Sequence, residues 1–410
     1  MIKADKEGQR KAPILRFKGF TDDWEQRELG QLMEIGSVKR IHMNEWKNTG
    51  VPFFRARDIV AKFNNKKISD SIYISEETYN SNILKSGKVK KGQLLITGVG
   101  TIGIPYLITD DSPLYFKDGN VIWLKNNNYD GNFIFYFFTT NLFKNYLFKI
   151  TGTGTVGTYT IENAKKTPIS TPQINEQIKI GKLFNILENL LALYDRKLKL
   201  LSQVKKYFLD NLFVEKEYPN LRFKGFTDAW EQRKLGEIFK FSQGLQVPID
   251  QQLEKKEENT ERFIRIVDVT QDNIPQRFVY NPTGKGRVNL DDIFFVRYGA
   301  VGTIGHGFKG VIANNLFKVI PLIDINPLFW FYQFSDIRFN SRLKALSAST
   351  SMPAINFNTL RKMIISNTSI VEQNKIGTIL KSLDNLLTLY ENEQQHLTEI
   401  KKTLLNTMFI

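Results

Sequence analysis

The stretch "TGVGTIG", Thr97 to Gly103, is where the residue types come nearest to a chemical site. Gly98, Gly100 and Gly103 spell G-x-G-x-x-G behind the apolar run Leu94-Leu95-Ile96, and Asp118 follows downstream. In a dinucleotide-binding turn such glycines bring backbone amides to a pyrophosphate, and an acid about twenty residues on meets the ribose. The phosphate also needs a helix N-terminus, but Gly103 is followed by "IPYLIT", with a proline and β-branched residues. The glycines read better as a tight turn between strands, or as a turn whose amides approach phosphate or base edges. Other chemistry is scarce. His42, His306 and His396 are the only histidines, with no metal-ligand spacing, and cysteine is absent, which removes thiolates and disulfides. Neither H-E-x-x-H, G-x-S-x-G nor a P-loop is present. "NPLF" at Asn326 lacks the second proline of an amino-methyltransferase motif and reads as a helix N-cap. No catalytic constellation is found, so the chain is not expected to be an enzyme by itself.

The elements that would position any site come in duplicate. "LRFKGFTDDWEQRELGQL" from Leu15 returns as "LRFKGFTDAWEQRKLGEI" from Leu221. The long segment from Glu176, "EQIKIGKLFNILENLLALYDRK", returns from Glu372 as "EQNKIGTILKSLDNLLTLYENE". Between these anchors the halves diverge but keep a skeleton: "FFRARDI" (Phe53) answers "FIRIVDV" (Phe263), and "GTIG" occurs at Gly100 and Gly302. "FIFYFF" (Phe133) answers "LFWFYQF" (Leu328), an expected amphipathic helix in each half. Because Gly98 becomes Ala300 in the second copy, only Gly100 and Gly103 keep their counterparts, which further disfavours a cofactor turn.

These repeats divide the chain into a flexible N-terminal segment (1–14), a module (15–170), a helix (171–213), a linker (214–220), a second module (221–366) and a second helix (367–410). Short β-branched and aromatic runs at Gln93–Thr97, Val121–Leu124 and Asp292–Val296, punctuated by Gly, Asn and Asp, make the modules mixed α/β. In the first helix apolar residues step through Ile180, Leu183, Leu187, Leu190, Tyr194, Leu201, Val204 and Phe208; in the second through Ile376, Ile379, Leu383, Leu386, Tyr390, Leu397, Ile400 and Leu404. Steps of three and four make a coiled-coil seam, and about 37 residues give a rod of roughly 55 Å. The two helices are expected to pack antiparallel. Lys197 and Glu393 interrupt the two stripes at matching places; either they face each other and favour that register, or both heads reach solvent.

The 410 residues carry a formal charge of +15 and a pI of about 9.5. That balance points to an anionic partner, nucleic acid first and an acidic membrane surface second. The first fourteen residues lack a signal-peptide core, and the aromatic run at Phe133–Phe143 is too short to span a bilayer. A cytoplasmic protein with no membrane partner is expected, in keeping with the absence of cysteine. Cationic and aromatic residues recur in polar loops of both modules: Lys39, Arg40, Arg55, Arg57, Lys66 and Lys67 in the first, and Arg262, Arg265, Lys285, Arg287, Arg297 and Tyr298 in the second. With Thr101 and Thr303 of the glycine turns they form the candidate DNA-binding set. Arg forks suit guanine, Asn and Gln suit adenine, and Lys mostly positions on phosphate. Leu187, Leu190, Tyr194, Lys197, Leu383, Leu386, Tyr390 and Glu393 are the candidate helix-pairing set.

Over nearly its full length the chain resembles the DNA-specificity subunits of type I restriction–modification systems. The resemblance rests on "LRFKGFTDDWEQRELG" and "LRFKGFTDAWEQRKLG", on "GVGTIG" and "RYGAVGTIG", and on the segments from Thr151 and Ser347 that lead into the long helices. The second lead-in, "ISNTSIVEQ", lacks the prolines that the first keeps as Pro168 and Pro172. The resemblance implies two target-recognition domains, each reading one half of a bipartite double-stranded DNA site, with the antiparallel helices setting the spacer. It implies two modification (methyltransferase) subunits binding S-adenosylmethionine and two restriction subunits using ATP and Mg, with no cofactor in this chain. The competing expectation is a coiled-coil adaptor that binds no DNA.

Overall fold

A two-stranded antiparallel ribbon joins the start of each module to its end. Glu25–Glu28 lies against Pro168–Thr171, and Glu231–Lys234 lies against Ile364–Asn367 in the equivalent register. The computed structural model describes residues 12–151, 157–213, 216–347 and 354–410. Residues 1–11 of the expected N-terminal segment, 214–215 of the linker, and 152–156 and 348–353 of the two lead-in segments lie outside the described residues.

Inside the first ribbon, four antiparallel strands run in the order Glu34–Gly36, Val121–Lys125, Leu94–Thr97, Pro105–Leu107. A smaller sheet, Ile72–Ile74, Val51–Phe54, Tyr115–Phe116, contains one parallel pair. The second module repeats the plan with Phe239–Gln243, Leu316–Pro321, Ile293–Val296 and Ile304–Gly305. Its smaller sheet runs Arg277–Tyr280, Thr260–Ile264, Gly310–Ile312, Arg287–Val288, with Thr260–Ile264 parallel to Gly310–Ile312. The mixed α/β expectation holds. Leu94–Thr97 and Ile293–Val296 are buried at every residue, which is why they read as unbroken apolar runs.

The aromatic helices, Gly131–Thr139 and Pro327–Ser335, differ from the amphipathic expectation. Phe133, Ile134, Tyr136, Phe137 and Phe138 are all buried, because Trp24 meets the helix on one side and Asn185, bonded to the Tyr136 hydroxyl, on another. Asp130 and Asn326 cap these helices by accepting from the amides of Phe133 (2.8 Å) and Phe329 (2.9 Å). The N-cap reading of Asn326 is therefore the observed one.

The long helices span Ile174–Leu212 and Ile370–Thr407. The repeated Glu-Gln and Ile-Gly of their first turns dock each helix on its own module. Glu176 accepts both Nε and Nη2 of Arg16 at 2.8 Å, and Glu372 accepts the same atoms of Arg222 at 2.8 and 2.9 Å. Gln177 accepts from the Asp130 amide (3.0 Å), and Gln373 accepts from the Asn326 amide (2.9 Å). One turn later Gly181 and Gly377 let those capping side chains approach so closely that a Cβ would collide with their carboxylate or amide oxygen.

The chain forms two compact units, one of residues up to Asp195 with Glu393–Ile410 and one of Arg196–Asn392. Each unit thus holds the early part of one long helix and the late part of the other. In the first, Leu183 and Leu187 share a core with Leu397, Leu404 and Phe409. In the second, Leu201, Val204 and Phe208 share a core with Ile376, Leu380 and Leu383. Early residues meeting late ones in both units make the pairing antiparallel, as expected. Phe409 stacks on Phe133 (5.2 Å) and meets Trp24 edge-on, while Phe213 meets Phe329 edge-on (5.4 Å) in the other unit.

The seam has a different phase from the one drawn on the sequence. It follows Ile180, Phe184, Leu187, Leu191, Tyr194, Leu198, Leu201, Lys205 and Phe208, and Ile376, Leu380, Leu383, Leu387, Tyr390, Gln394, Leu397, Lys401 and Leu404. Leu187 is 7% exposed but Leu190 is 36%, and Leu383 is 9% but Leu386 is 39%. Leu190 and Leu386 are therefore corrected to outward positions. Leucine stands at both 190 and 191, and at both 386 and 387, so periodicity alone could not choose between a three-step and a four-step. Lys197 and Glu393 consequently flank the seam. Lys197, exposed, holds its ammonium 5.0 Å from the centre of the Tyr390 ring, and Glu393 is half-buried. The cations standing in the seam are Lys401, paired with Glu188, and Lys205, paired with Asp384 at 2.5 Å.

Removing one partner of a buried ion pair strands the other charge, at a cost of about 3–5 kcal/mol, whereas an apolar replacement of both is far milder. Arg16→Met and Glu176→Leu should each lower stability by about that amount, and the double variant should lose less than either. Urea unfolding of the four proteins measures it; a double variant as damaged as the sum of the singles would show that the pair is not what anchors the helix.

Candidate nucleic-acid interface

The glycine turn that suggested a cofactor is a β-hairpin loop. Leu94–Thr97 runs directly into Pro105–Leu107, and Ile293–Val296 into Ile304–Gly305, with no helix following. Gly100 (φ +70°), Gly103 (φ +77°) and Gly302 (φ +92°) occupy the left-handed region that such a reversal requires. Amides of the turn point inward: Gly103 N donates to Thr97 O (2.7 Å) and Ile104 N to Thr97 Oγ1 (2.9 Å). Asp118, the imagined ribose ligand, holds Arg40 Nε at 2.8 Å. Thr101 is exposed at the hairpin tip, while Thr303 is half-buried. Among the described residues no group of three or more His, Cys, Asp or Glu side chains is placed to hold a metal, and no helix is long and apolar enough to cross a membrane.

The basic residues sort into two populations. The first is engaged within the fold. Arg55 caps the helix Ala56–Phe63 and grips buried Asp58 through Nε (2.7 Å) and Nη2 (3.0 Å). Arg265 does the same at the head of Ile266–Thr270, gripping Asp268 through Nε (2.8 Å) and Nη2 (3.3 Å). Arg287, although exposed, forks onto Glu261 with two 2.7 Å bonds, and its guanidinium holds that carboxyl below the usual range, so the arginine counts here by its pairing and not by its burial. Arg297 lies 5.1 Å over the Phe357 ring, and Arg262 5.5 Å from the Phe308 ring. Tyr298, half-buried, forms a β-bridge with Ala354. These members of the candidate DNA-binding set direct their side chains to carboxylates, carbonyls and rings of their own module.

The second population faces solvent. Lys39, Lys66, Lys67 and Lys285 are exposed, Arg40 is exposed while bonded to Asp118, and Arg57, 53% exposed, makes long contacts to Asp58 (3.8 Å), Asp70 (3.5 Å) and the Ser69 carbonyl (3.5 Å). In the first module Lys62, Lys66 and Lys67 rim a cavity of about 360 Å³ whose walls include Phe54, Ile68 and Tyr73. The basic stretch Lys62–Lys67, with Asn64 and Asn65 in it, stands out in the sequence, but sequence reading missed Gln271, Asn273 and Gln276, which occupy the loop after the second capped helix. The signal was available: Asn and Gln crowd both segments between a helix and a strand.

These paired loops over paired frames set the ground for comparison with known proteins. A family model described as the type I restriction modification DNA specificity domain matches residues 21–203 and again residues 227–401. The chain belongs to that family. A Haemophilus influenzae protein provisionally described as a type I restriction enzyme specificity subunit is 30% identical over 164 residues, 40% of each chain. The Methanocaldococcus jannaschii protein provisionally described as the type I restriction enzyme MjaX specificity subunit is 23% identical over 418 residues, 94% of this chain and 93% of its own. The crystal structure of the type I restriction–modification S subunit from M. genitalium superposes with a TM-score of 0.59 at 16% identity, covering 97% of this chain and 99% of that one, which establishes the shared fold.

In this DNA-specificity family member the exposed lysines and the engaged arginines should respond differently to salt. Each phosphate contact contributes about 0.9 to the slope of log affinity against log salt. Lys66→Ala and Lys67→Ala should each flatten that slope by about one, and Arg287→Ala should leave it unchanged because Glu261 already neutralises that charge. Duplex affinity across a salt series checks this; equal slopes for all three variants would sink the division.

Proposed function

We propose that the chain is the DNA-reading specificity subunit of a type I restriction–modification complex, each module recognising one half of a bipartite target. The observation that carries the reading is the duplication. Two modules share one sheet plan, one docking motif and one antiparallel helix pair, yet differ in the composition and length of the loops they expose. A constant frame with variable loops suits two readers of different sequences on one spacer. The charge of +15 supplies the attraction to phosphate that any such reader needs. Catalysis falls to partners: two modification subunits carrying S-adenosylmethionine, and two restriction subunits using ATP and Mg. This chain's own part is to bind, orient and space, in the cytoplasm where those partners and the DNA meet.

Mapping methylated adenines in cells expressing the chain with its modification subunit tests the proposal. A bipartite motif with a constant spacer is expected, and exchanging residues 15–170 for another module should change one half-site and spare the other. Failure to co-purify with a methyltransferase subunit, together with no bipartite methylation, would leave the coiled-coil adaptor as the better reading.

A further inference from the structure

Each of the two gripping arginines makes one bond that helix capping does not require. Arg55 Nη2 donates to the carbonyl of Asp70 (2.8 Å), and Arg265 Nη2 to the carbonyl of Pro275 (2.8 Å). Both acceptors stand two residues before the next strand, which begins at Ile72 in one module and Arg277 in the other. The intervening chain differs, however: the acceptor lies 15 residues beyond Arg55 but only 10 beyond Arg265. The buried acid, the arginine and the landing point are thus constant, while the loop they close is longer in the first module. Asp58 and Asp268 are both nearly inaccessible, at 3% and 1% side-chain exposure, so each arginine is held rigidly from behind.

The loops so closed present donors and acceptors to solvent. In the first, Asn65, Lys66 and Lys67 are exposed; in the second, Gln271, Asp272, Asn273 and Gln276 are. Each turns through an asparagine in the left-handed region, Asn65 at φ +53° and Asn273 at φ +58°. Glycine would take that conformation without strain, but asparagine adds an amide of the kind that forks onto adenine. In the first loop Lys66 and Lys67 beside it supply the phosphate contact that holds the loop in register. In the second Asp272 stands there instead, an acceptor of the kind that meets the cytosine amino group.

We propose that these two loops, residues 64–70 and 271–276, carry the specificity of the two half-sites, and that Arg55 and Arg265 are positioning residues that aim them. This rests on the DNA-reading function proposed above and narrows it to named residues. A fork anchored on a buried carboxylate and a main-chain carbonyl fixes where the loop ends whatever its length, so new loop sequences can be accommodated without disturbing the frame. Lysine cannot replace that arginine, because a single ammonium lacks the planar fork that spans two acceptors.

The test reads methylated motifs from the full chain with its modification subunit. One loop variant combines Asn65→Gly, Lys66→Ser and Lys67→Ser; the other combines Gln271→Ser, Asn273→Gly and Gln276→Ser. All six positions are exposed, so thermal unfolding should stay within a few degrees of wild type, whereas discrimination should fall roughly tenfold or more at one half-site only, a different half-site for each variant. Arg55→Lys should relax the half-site that the first loop variant relaxes, and Arg265→Lys the other, since a purely structural role would lower stability and leave the motif intact. Loop variants that methylate the wild-type motif, or relax both halves together, overturn the assignment of the loops. Clamp variants that melt early yet keep the motif overturn the positioning role. A wild-type chain giving no bipartite motif overturns the function reading itself, and with it this inference, before any loop is changed.

Discussion

The buried pairing of Arg16 with Glu176, and of Arg222 with Glu372, is the contact from which the rest of each half is hung. The arginine belongs to the segment entering a module, and the glutamate to the first turn of the helix leaving it. A desolvated carboxylate with a bidentate guanidinium tolerates little displacement, because a small shift leaves two charges in a poor medium. In the second half Trp230 Nε1 (3.1 Å) and the Thr368 hydroxyl also donate to Glu372. Entry and exit of each module are thereby locked together, and the ribbon of Glu25–Glu28 with Pro168–Thr171 closes just beside the lock.

That lock explains why two stretches of sequence are nearly identical while the interiors drift. Glu-Gln and Ile-Gly of the long helices touch the arginine, the capped aromatic helix and the capping residue at once. Substituting any one of them would disturb several partners, whereas a loop closed by a clamp can change freely behind its anchor. Arginine does the anchoring throughout: one pair ties helices to modules, and another ties loops to strands. Most of the loop cations that face solvent are lysines, Lys39, Lys66, Lys67 and Lys285, joined by Arg40 and Arg57. The division follows from chemistry, since a planar fork suits two fixed acceptors and a flexible ammonium suits a mobile phosphate.

The long helices obey a similar economy. Polar residues enter their apolar seam in the later part of each helix: Gln394 stands where the first helix has Leu198, and a lysine stands in each farther along. Lys205 with Asp384 and Lys401 with Glu188 are equivalent pairs, one in each unit. An antiparallel register is favoured by such pairs, because a shift of a single turn separates both lysines from their acids. Burial also pushes the Tyr332 hydroxyl up, and it donates to Asp384 (2.6 Å), so the acid that meets the lysine is itself held by the module.

The repeat, the strands at Leu94–Thr97, Val121–Lys125 and Ile293–Val296, the two long helices and the cap at Asn326 were legible in the sequence, because each is a local pattern; the matching cap at Asp130 was not read there. The sequence also disposed of the cofactor turn, since Ala300 and Pro105 contradict it without reference to any fold. What it could not assign was the use of each arginine. Arg55, Arg57, Arg265 and Arg287 look alike in a string, yet two grip buried aspartates, one forks onto Glu261 and one reaches solvent. Partner choice there depends on residues brought close only by folding, such as Asp70, Pro275 and Glu261. The seam phase was undecided for the same reason: with leucine at both 190 and 191, only packing against the other helix determines which is covered. Local patterns name the elements; the neighbour supplied by the tertiary structure decides what each side chain is for.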